Sequence, residues 1–259
     1  MRPPRQNRPT LPIRAAVVSL SMLVPCLLAP IPDAGAAESK AIAWSGEVDV
    51  PSRYVWRGIA FSRGVVVNPS LTAAWKGLSL NAWANLDRDA ARPRTLNELD
   101  WTLAWGGSFA GLDLKPSAML YTYPGAADAN TVELQVQVGH ALAGPFSTFA
   151  SQGVDVKAQH GAAYSSLGVG FELPERHRVT WSGSLQYGRG SSRFAAAYAD
   201  PSLAGLDVMS AGCTASLSIG GGFSLRPHLE LYRVPDRRVR DGITGPTPLV
   251  AGIALDGEF

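Results

Sequence analysis

The sequence predicts an all-β fold, a transmembrane antiparallel up-and-down β-barrel of about 12 strands closed by a C-terminal strand ending at Phe259. Three observations carry this prediction. Apolar residues recur at every second position in segment after segment, the period of a strand with two unlike faces. The connections between those segments alternate short and long, as they do when a closed antiparallel sheet keeps its turns on one side and its loops on the other. The last segment, with Leu249, Ala251, Ile253, Leu255, Gly257 and Phe259 on one face, alternates down to an aromatic terminal residue.

The chain opens with Arg2, Arg5, Arg8 and Arg14, then the apolar run Ala15 to Leu28, then the small residues Ala34, Gly35 and Ala36. This order is that of a cleaved secretory signal peptide, so residues 1–36 are expected to leave and residues 37–259 to form a single outer-membrane β-barrel domain. The apolar run contains Pro25 and falls short of the roughly 20 residues that a membrane-crossing helix needs. Pro25 also stands before Cys26 where lipidation wants a small residue, which disfavours a lipoprotein. Without the leader, 19 basic residues face 20 acidic ones, a net charge of −1 that removes any compositional case for nucleic-acid binding. Only Cys213 is then left, so an exported chain has no internal disulfide and must draw its stability from the fold.

Strands are expected near 41–57, 65–76, 78–87, 97–107, 112–123, 131–140, 146–156, 161–172, 177–188, 207–219, 223–234 and 248–259, with 192–199 the segment least firmly left out. Leu78, Leu80, Ala82, Ala84 and Leu86 alternate with Ser79, Asn81, Trp83 and Asn85; Val132, Leu134, Val136 and Val138 alternate with Glu133, Gln135 and Gln137. Leu99, Trp101, Leu103 and Trp105 alternate with Glu98, Asp100 and Thr102, and Phe223, Leu225, Leu229 and Leu231 with Ser224, Arg226, His228 and Glu230. The apolar set is expected to face lipid and the charged set the lumen. Lys76-Gly77, Ser108 to Gly111, Ala141 to Pro145, Leu173 to Arg176 and Gly220 to Gly222 are the short connections; 58–64, 88–96, 124–130, 189–206 and 235–247 are the longer ones. A soluble sandwich or lipocalin-like barrel would share the period. Against it, Trp44, Trp56, Trp75, Trp101, Trp105, Trp181 and Tyr187 fall on the apolar set near strand ends, where an interfacial girdle belongs.

The stretch Ser52-Arg53-Tyr54-Val55-Trp56-Arg57-Gly58-Ile59, then Asn68-Pro69-Ser70-Leu71, the hairpin Lys76-Gly77-Leu78-Ser79-Leu80-Asn81 and Asn97-Glu98-Leu99-Asp100 resemble the opening of TorF-like porins, over residues 45–140. The resemblance implies a Gram-negative outer-membrane barrel and a porin, and says little about the solute.

Under the alternation, the first strand turns Ser45, Glu47, Asp49, Arg53 and Arg57 inward, and other strands add Glu98, Asp100, Lys115, Glu133, Arg226 and Glu230. Charges of both signs facing each other across water can select small polar solutes at close range, so these residues are expected to line a channel. Inward Trp83, Tyr121 and Tyr123 would narrow it. The function expected is passive diffusion of small polar solutes through a porin of the outer membrane. The alternatives are a non-conducting structural or adhesive barrel, in which the same charges pair into a plug, and an outer-membrane hydrolase. His140, His160, His177 and His228 lack a partner suited to nucleophilic catalysis, so no enzyme is expected. No spacing of His, Cys or carboxylates suggests a metal or other cofactor, and Cys213 reads as a small lipid-facing side chain. Expected partners are outer-membrane lipid and lipopolysaccharide, the latter through the basic loop Pro235-Asp236-Arg237-Arg238-Val239-Arg240, and the outer-membrane assembly machinery, which would read Leu255, Gly257 and Phe259.

Overall fold

The computed structural model describes residues 41–88, 95–126, 129–237, 240 and 249–259; the leader expected at 1–36 lies outside them, as do Arg238 and Val239 of the basic loop. Twelve wall strands run in chain order: β1 Ala43–Pro51, β2 Asn68–Trp75, β3 Leu78–Leu86, β4 Leu96–Trp105, β5 Leu112–Thr122, β6 Thr131–Ala141, β7 Phe146–Asp155, β8 Ala163–Glu172, β9 Val179–Gly190, β10 Leu206–Gly220, β11 Phe223–Arg233 and β12 Leu249–Glu258. A three-residue piece, Gly107–Phe109, continues β4 past a break at Gly106 and pairs with the same neighbour, β5. Each strand pairs antiparallel with the next, and β1 pairs with β12 through Ser45↔Glu258 to Pro51↔Gly252, which closes the barrel. Closure leaves no open sheet edge, so backbone donors and acceptors of the wall are satisfied where no water can reach them.

The faces are inverted relative to a soluble protein. Leu103 is 55 % exposed and Leu134 50 %, while Asp100 and Glu133 on the same strands are 2 % and 4 % exposed. An outer face of leucine, valine and tryptophan around a polar interior is the solution a membrane demands of a β-sheet. The apolar alternation therefore places the lipid face as the sequence predicts.

Tight turns on one side of the barrel follow from sequence. Lys76-Gly77 and Ala110-Gly111 each pair a non-glycine residue with a glycine at positive φ, and in His177-Arg178 both residues take positive φ with no glycine. This is the type I′ geometry whose twist matches antiparallel strands. The aromatic girdle gathers at this turn side: Trp44, Trp75, Trp105, Phe146, Trp181 and Phe223 sit exposed near the turn-side ends of their strands. Trp101 lies mid-strand and Tyr187 toward the loop side, both exposed, whereas Trp56 is buried and belongs to the interior. Phe259 donates its backbone N–H to the Trp44 carbonyl at 2.9 Å, and its ring meets Phe223 edge-on. Phe223 in turn covers Gly257, whose missing side chain leaves room for the ring.

Two segments depart from the expected pattern. β1 ends at Pro51 rather than continuing to residue 57, and Val55–Trp56 and Ile59–Ala60 form a small separate hairpin. Residues Ser192–Tyr198, expected as a connection, form a helix, α1, capped by Ser191, whose hydroxyl accepts from the Phe194 N–H at 3.2 Å.

Candidate functional site

The loop-side half of the lumen is filled from within the chain. The hairpin turns on Arg57 (φ 51) and Gly58 (φ 78), a two-residue loop in which both residues are left-handed. A non-glycine residue there costs energy unless its surroundings hold it. Arg57 is held by Glu133 on β6, its Nη1 donating to Oε2 at 2.8 Å and Nη2 to Oε1 at 2.6 Å. The guanidinium also stacks 4.4 Å from the Trp56 ring centre and 4.5 Å from that of Tyr164. Both members of the ion pair are buried, with side chains 3 % and 5 % exposed. Burial alone would lower the pKa of Arg57, but the neighbouring Glu133 outweighs it and the net shift is upward, so the guanidinium stays charged.

The wall is shaped for this pair. A Cβ at Gly153 on β7 would come 2.5 Å from Glu133 Oε1, so glycine makes room for the carboxylate. α1 packs Phe194 and Ala195, both fully buried, against Trp56, Tyr164 and the hairpin, and Leu206, Val208, Tyr232 and Val250 complete one apolar cluster. A polar bracket steadies the β7–β8 connection beside it: Asp155 accepts from Thr131 Oγ1 at 2.5 Å and from the backbone of Lys157 and Gln159.

The turn-side half is polar. Arg226 Nη1 on β11 donates to Glu47 Oε2 on β1 at 2.9 Å and lies 3.4 Å from Asp256 Oδ1 on β12. Water reaches these acids, with Glu47 33 % and Asp256 30 % exposed at the side chain. Asp49 sits 3.8 Å from His228 Nε2; farther along β11, at the edge of the apolar cluster, Tyr232 donates its hydroxyl to Glu230.

The residues expected to line a channel thus divide. Glu47, Asp49, Arg226 and Glu230 come together along the β1–β12–β11 side of the lumen. Trp83, Asp100 and Lys115 are inward and buried on β3, β4 and β5. Arg57 and Glu133 are joined in the plug, and Arg53 stands in the bend after β1, off the wall, as a consequence of the shorter strand. Glu98 faces a separate cavity. Leu255 is exposed on the lipid face of β12, Gly257 lies under Phe223, and Phe259 is exposed beside both. His140, His160 and His177 are exposed at a strand end, a loop and a turn, and His228 is buried inward. Cys213 is exposed on β10.

The cavity, about 290 Å³, lies at the loop-side mouth, walled by Tyr54, Trp56, Phe61, Tyr121, Tyr123 and Tyr198, with Asn97, Glu98 and Gln159 among its polar lining. Sequence reading sets Tyr121, Tyr123 and Glu98 along a channel but does not join them to Tyr54, Phe61 and Tyr198, because the lining comes from the hairpin, three strand ends, a loop and α1. The one legible signal was three aromatics, Tyr54, Trp56 and Phe61, within eight residues of a connection.

No protein-family model matches the sequence, and no curated protein matches it. Solved structures do match in fold. The KdgM porin superposes with a TM-score of 0.54 at 10 % identity, covering 83 % of this chain and 99 % of that one. The NanC porin superposes at 0.58 and 8 % identity, covering 83 % and 100 %. A KdgM porin in complex with disordered oligogalacturonate gives 0.51 at 8 % identity, covering 84 % and 99 %. The likeness is one of fold: these porins share the closed antiparallel barrel that the strand pairing shows here.

Proposed function

We propose that this chain is a porin of a Gram-negative outer membrane that passes small polar solutes by passive diffusion. The observation that carries the reading is the wet, charged turn-side vestibule, where Glu47 and Asp256 flank Arg226 and Asp49 lies beside His228, beneath a plug drawn from the chain itself. The signal-peptide pattern of residues 1–36 and the TorF-like character of residues 45–140 agree with export, a single mature barrel of residues 37–259 and a porin role. In such barrels both termini lie on the periplasmic side, so the vestibule opens inward and the plug outward, next to lipopolysaccharide. Leu255, Gly257 and Phe259 would present the assembly signal at the inner rim. Three carboxylates to one guanidinium favour cations and neutral solutes over acidic ones at this vestibule.

The test is single-channel current through the refolded barrel in planar bilayers. Glu47→Gln/Asp49→Asn should shift ion preference toward anions and Arg226→Gln toward cations. A second reading, a non-conducting structural barrel, is favoured by the apolar cluster that fills the loop-side half. It would be established by the absence of current in every variant, including Arg57→Ala, which releases the plug.

A further inference from the structure

The outward face of the wall carries a charged arc. Directly across the paired strands, Gln152 on β7, Ser165 on β8, Arg189 on β9 and Asp207 on β10 stand side by side in one outward row. Ser165 donates its hydroxyl to Gln152 Oε1, so the deeper end of the row satisfies itself. The row continues over β6 and β5 as Val136 and Pro116, which confines its polar part to one stretch of the circumference. The next row toward the turns is Ala150, Leu167, Tyr187, Met209 and Arg233, the last residue of β11. The row after that, Thr148, Val169, Leu185, Ala211, Leu231 and Leu249, has no charge. A wall fit for acyl chains thus gives way to guanidinium groups within two rows, at the loop-side ends of β9 and β11.

The arc has donors to spare. Arg189 bonds both Asp207 oxygens through Nη1 alone, at 2.9 and 3.1 Å, and Tyr187 donates its hydroxyl to the same carboxylate. A guanidinium has five N–H donors, so Arg189 holds a further acceptor without giving up Asp207. Arg233 is exposed on the same outward face as Leu229 and Leu231 and makes no ion pair or hydrogen bond among the described residues. Arg240 Nη1 reaches the Val234 carbonyl at 3.5 Å, which brings a third guanidinium to the end of β11. A cation on the lipid side of a barrel is costly at acyl depth and is repaid where anionic head groups begin. Arg189 and Arg233 stand two strands apart, about 10 Å at the usual strand spacing. A glycerophospholipid offers one phosphate to such a pair, whereas a disaccharide phosphorylated at both ends offers two, each above its own acyl chains.

We propose that the outer face of β9–β11 seats the head of one lipopolysaccharide molecule, its bis-phosphorylated lipid A disaccharide. One phosphate meets Arg189, the other Arg233 and Arg240, and the acyl chains descend over Met209, Leu185 and Leu231. The proposal rests on the outer-membrane reading, in which the loop side faces outward, and goes beyond it by assigning a lipid to the wall where the porin reading assigns a solute to the lumen.

The experiment is native mass spectrometry of the refolded full barrel, released from a nonionic polyoxyethylene detergent after titration with bis-phosphorylated lipid A, with the same lipid dephosphorylated, or with phosphatidylglycerol. Lipid A should bind saturably at one per barrel, and the other two at least about tenfold more weakly, because each lacks the paired phosphates. Arg189→Gln/Arg233→Gln should weaken lipid A about tenfold or more, Arg189→Lys/Arg233→Lys should keep most of the affinity, and Lys76→Gln on the turn side should change nothing. Equal binding of phosphatidylglycerol would show a general anionic annulus, equal binding of the dephosphorylated lipid a merely apolar wall, and unchanged lipid A binding by the glutamine pair a seat elsewhere; each overturns the proposal, as does no bound lipid A at all. Folding is read separately from the mobility of the unheated barrel in dodecyl sulfate, and pore opening from current. Loss of the lipid seat in a folded, conducting barrel therefore leaves the porin reading standing, while a folded barrel that holds lipid A and passes no current strikes the porin reading alone.

Discussion

Arg57 and Arg226 both pair with a glutamate inside the same barrel, yet the Arg57–Glu133 side chains are 3 % and 5 % exposed while Arg226 and Glu47 are 10 % and 33 %. The loop-side pair is dry, bidentate and stacked on two rings; the turn-side pair is single-toothed, shared with Asp256 and open to water. The difference teaches that a charge inside a barrel does one of two jobs according to its solvation. Desolvated and doubly bonded, it fixes an inserted segment in one register, since an unmatched partner left behind would be costly. Hydrated and loosely shared, it keeps a field available to whatever passes.

The largest blow to this comparison should come from Arg57→Ala, which strands Glu133 in an apolar cluster. The plug should lose about 3–5 kcal/mol of docking free energy, read as faster amide exchange across residues 52–66. Arg57→Met with Glu133→Leu should recover most of that protection, because the site is then uniformly apolar. Gly153→Val leaves both charges in place but drives a side chain into Glu133, and should cost about 1–3 kcal/mol in the same exchange experiment. On the turn side, Glu47→Gln should change stability by no more than about 1 kcal/mol in a urea melt, while moving ion preference in a bilayer recording. The smallest effect belongs outside the lumen, at the exposed Arg189–Asp207 pair: Arg189→Gln should leave the melting temperature unchanged within error.

Period-two alternation placed all twelve wall strands to within a few residues at most ends, because lipid outside and polar groups inside impose the same rhythm on each. The same rhythm misled at residues 52–57. Tyr54, Val55 and Trp56 continue the apolar pattern of β1, but their apolar side chains meet an apolar cluster inside the barrel instead of lipid outside it. Hydrophobicity registers only removal from water, so the two destinations read alike. That is why Trp56 was grouped with the girdle, and Arg57 with the wall. α1 was overlooked for a related reason: seven residues are too few to display a helical stripe, and Phe194 finds its pocket only among strands distant in sequence. The aromatic cavity was illegible because its walls come in three clusters, at residues 54–61, 121–123 and 198, that nothing in the sequence joins to one another.

The bond from Arg57 to Glu133 spans 76 positions, and the same hairpin leans on Val208, with Gly58 pressed against it. A ribbon emitted between the first two strands therefore has no seat until the sixth and the tenth have taken their places. Seating is a late event in biogenesis, and resistance of residues 52–66 to protease would date the moment at which a barrel has finished assembling.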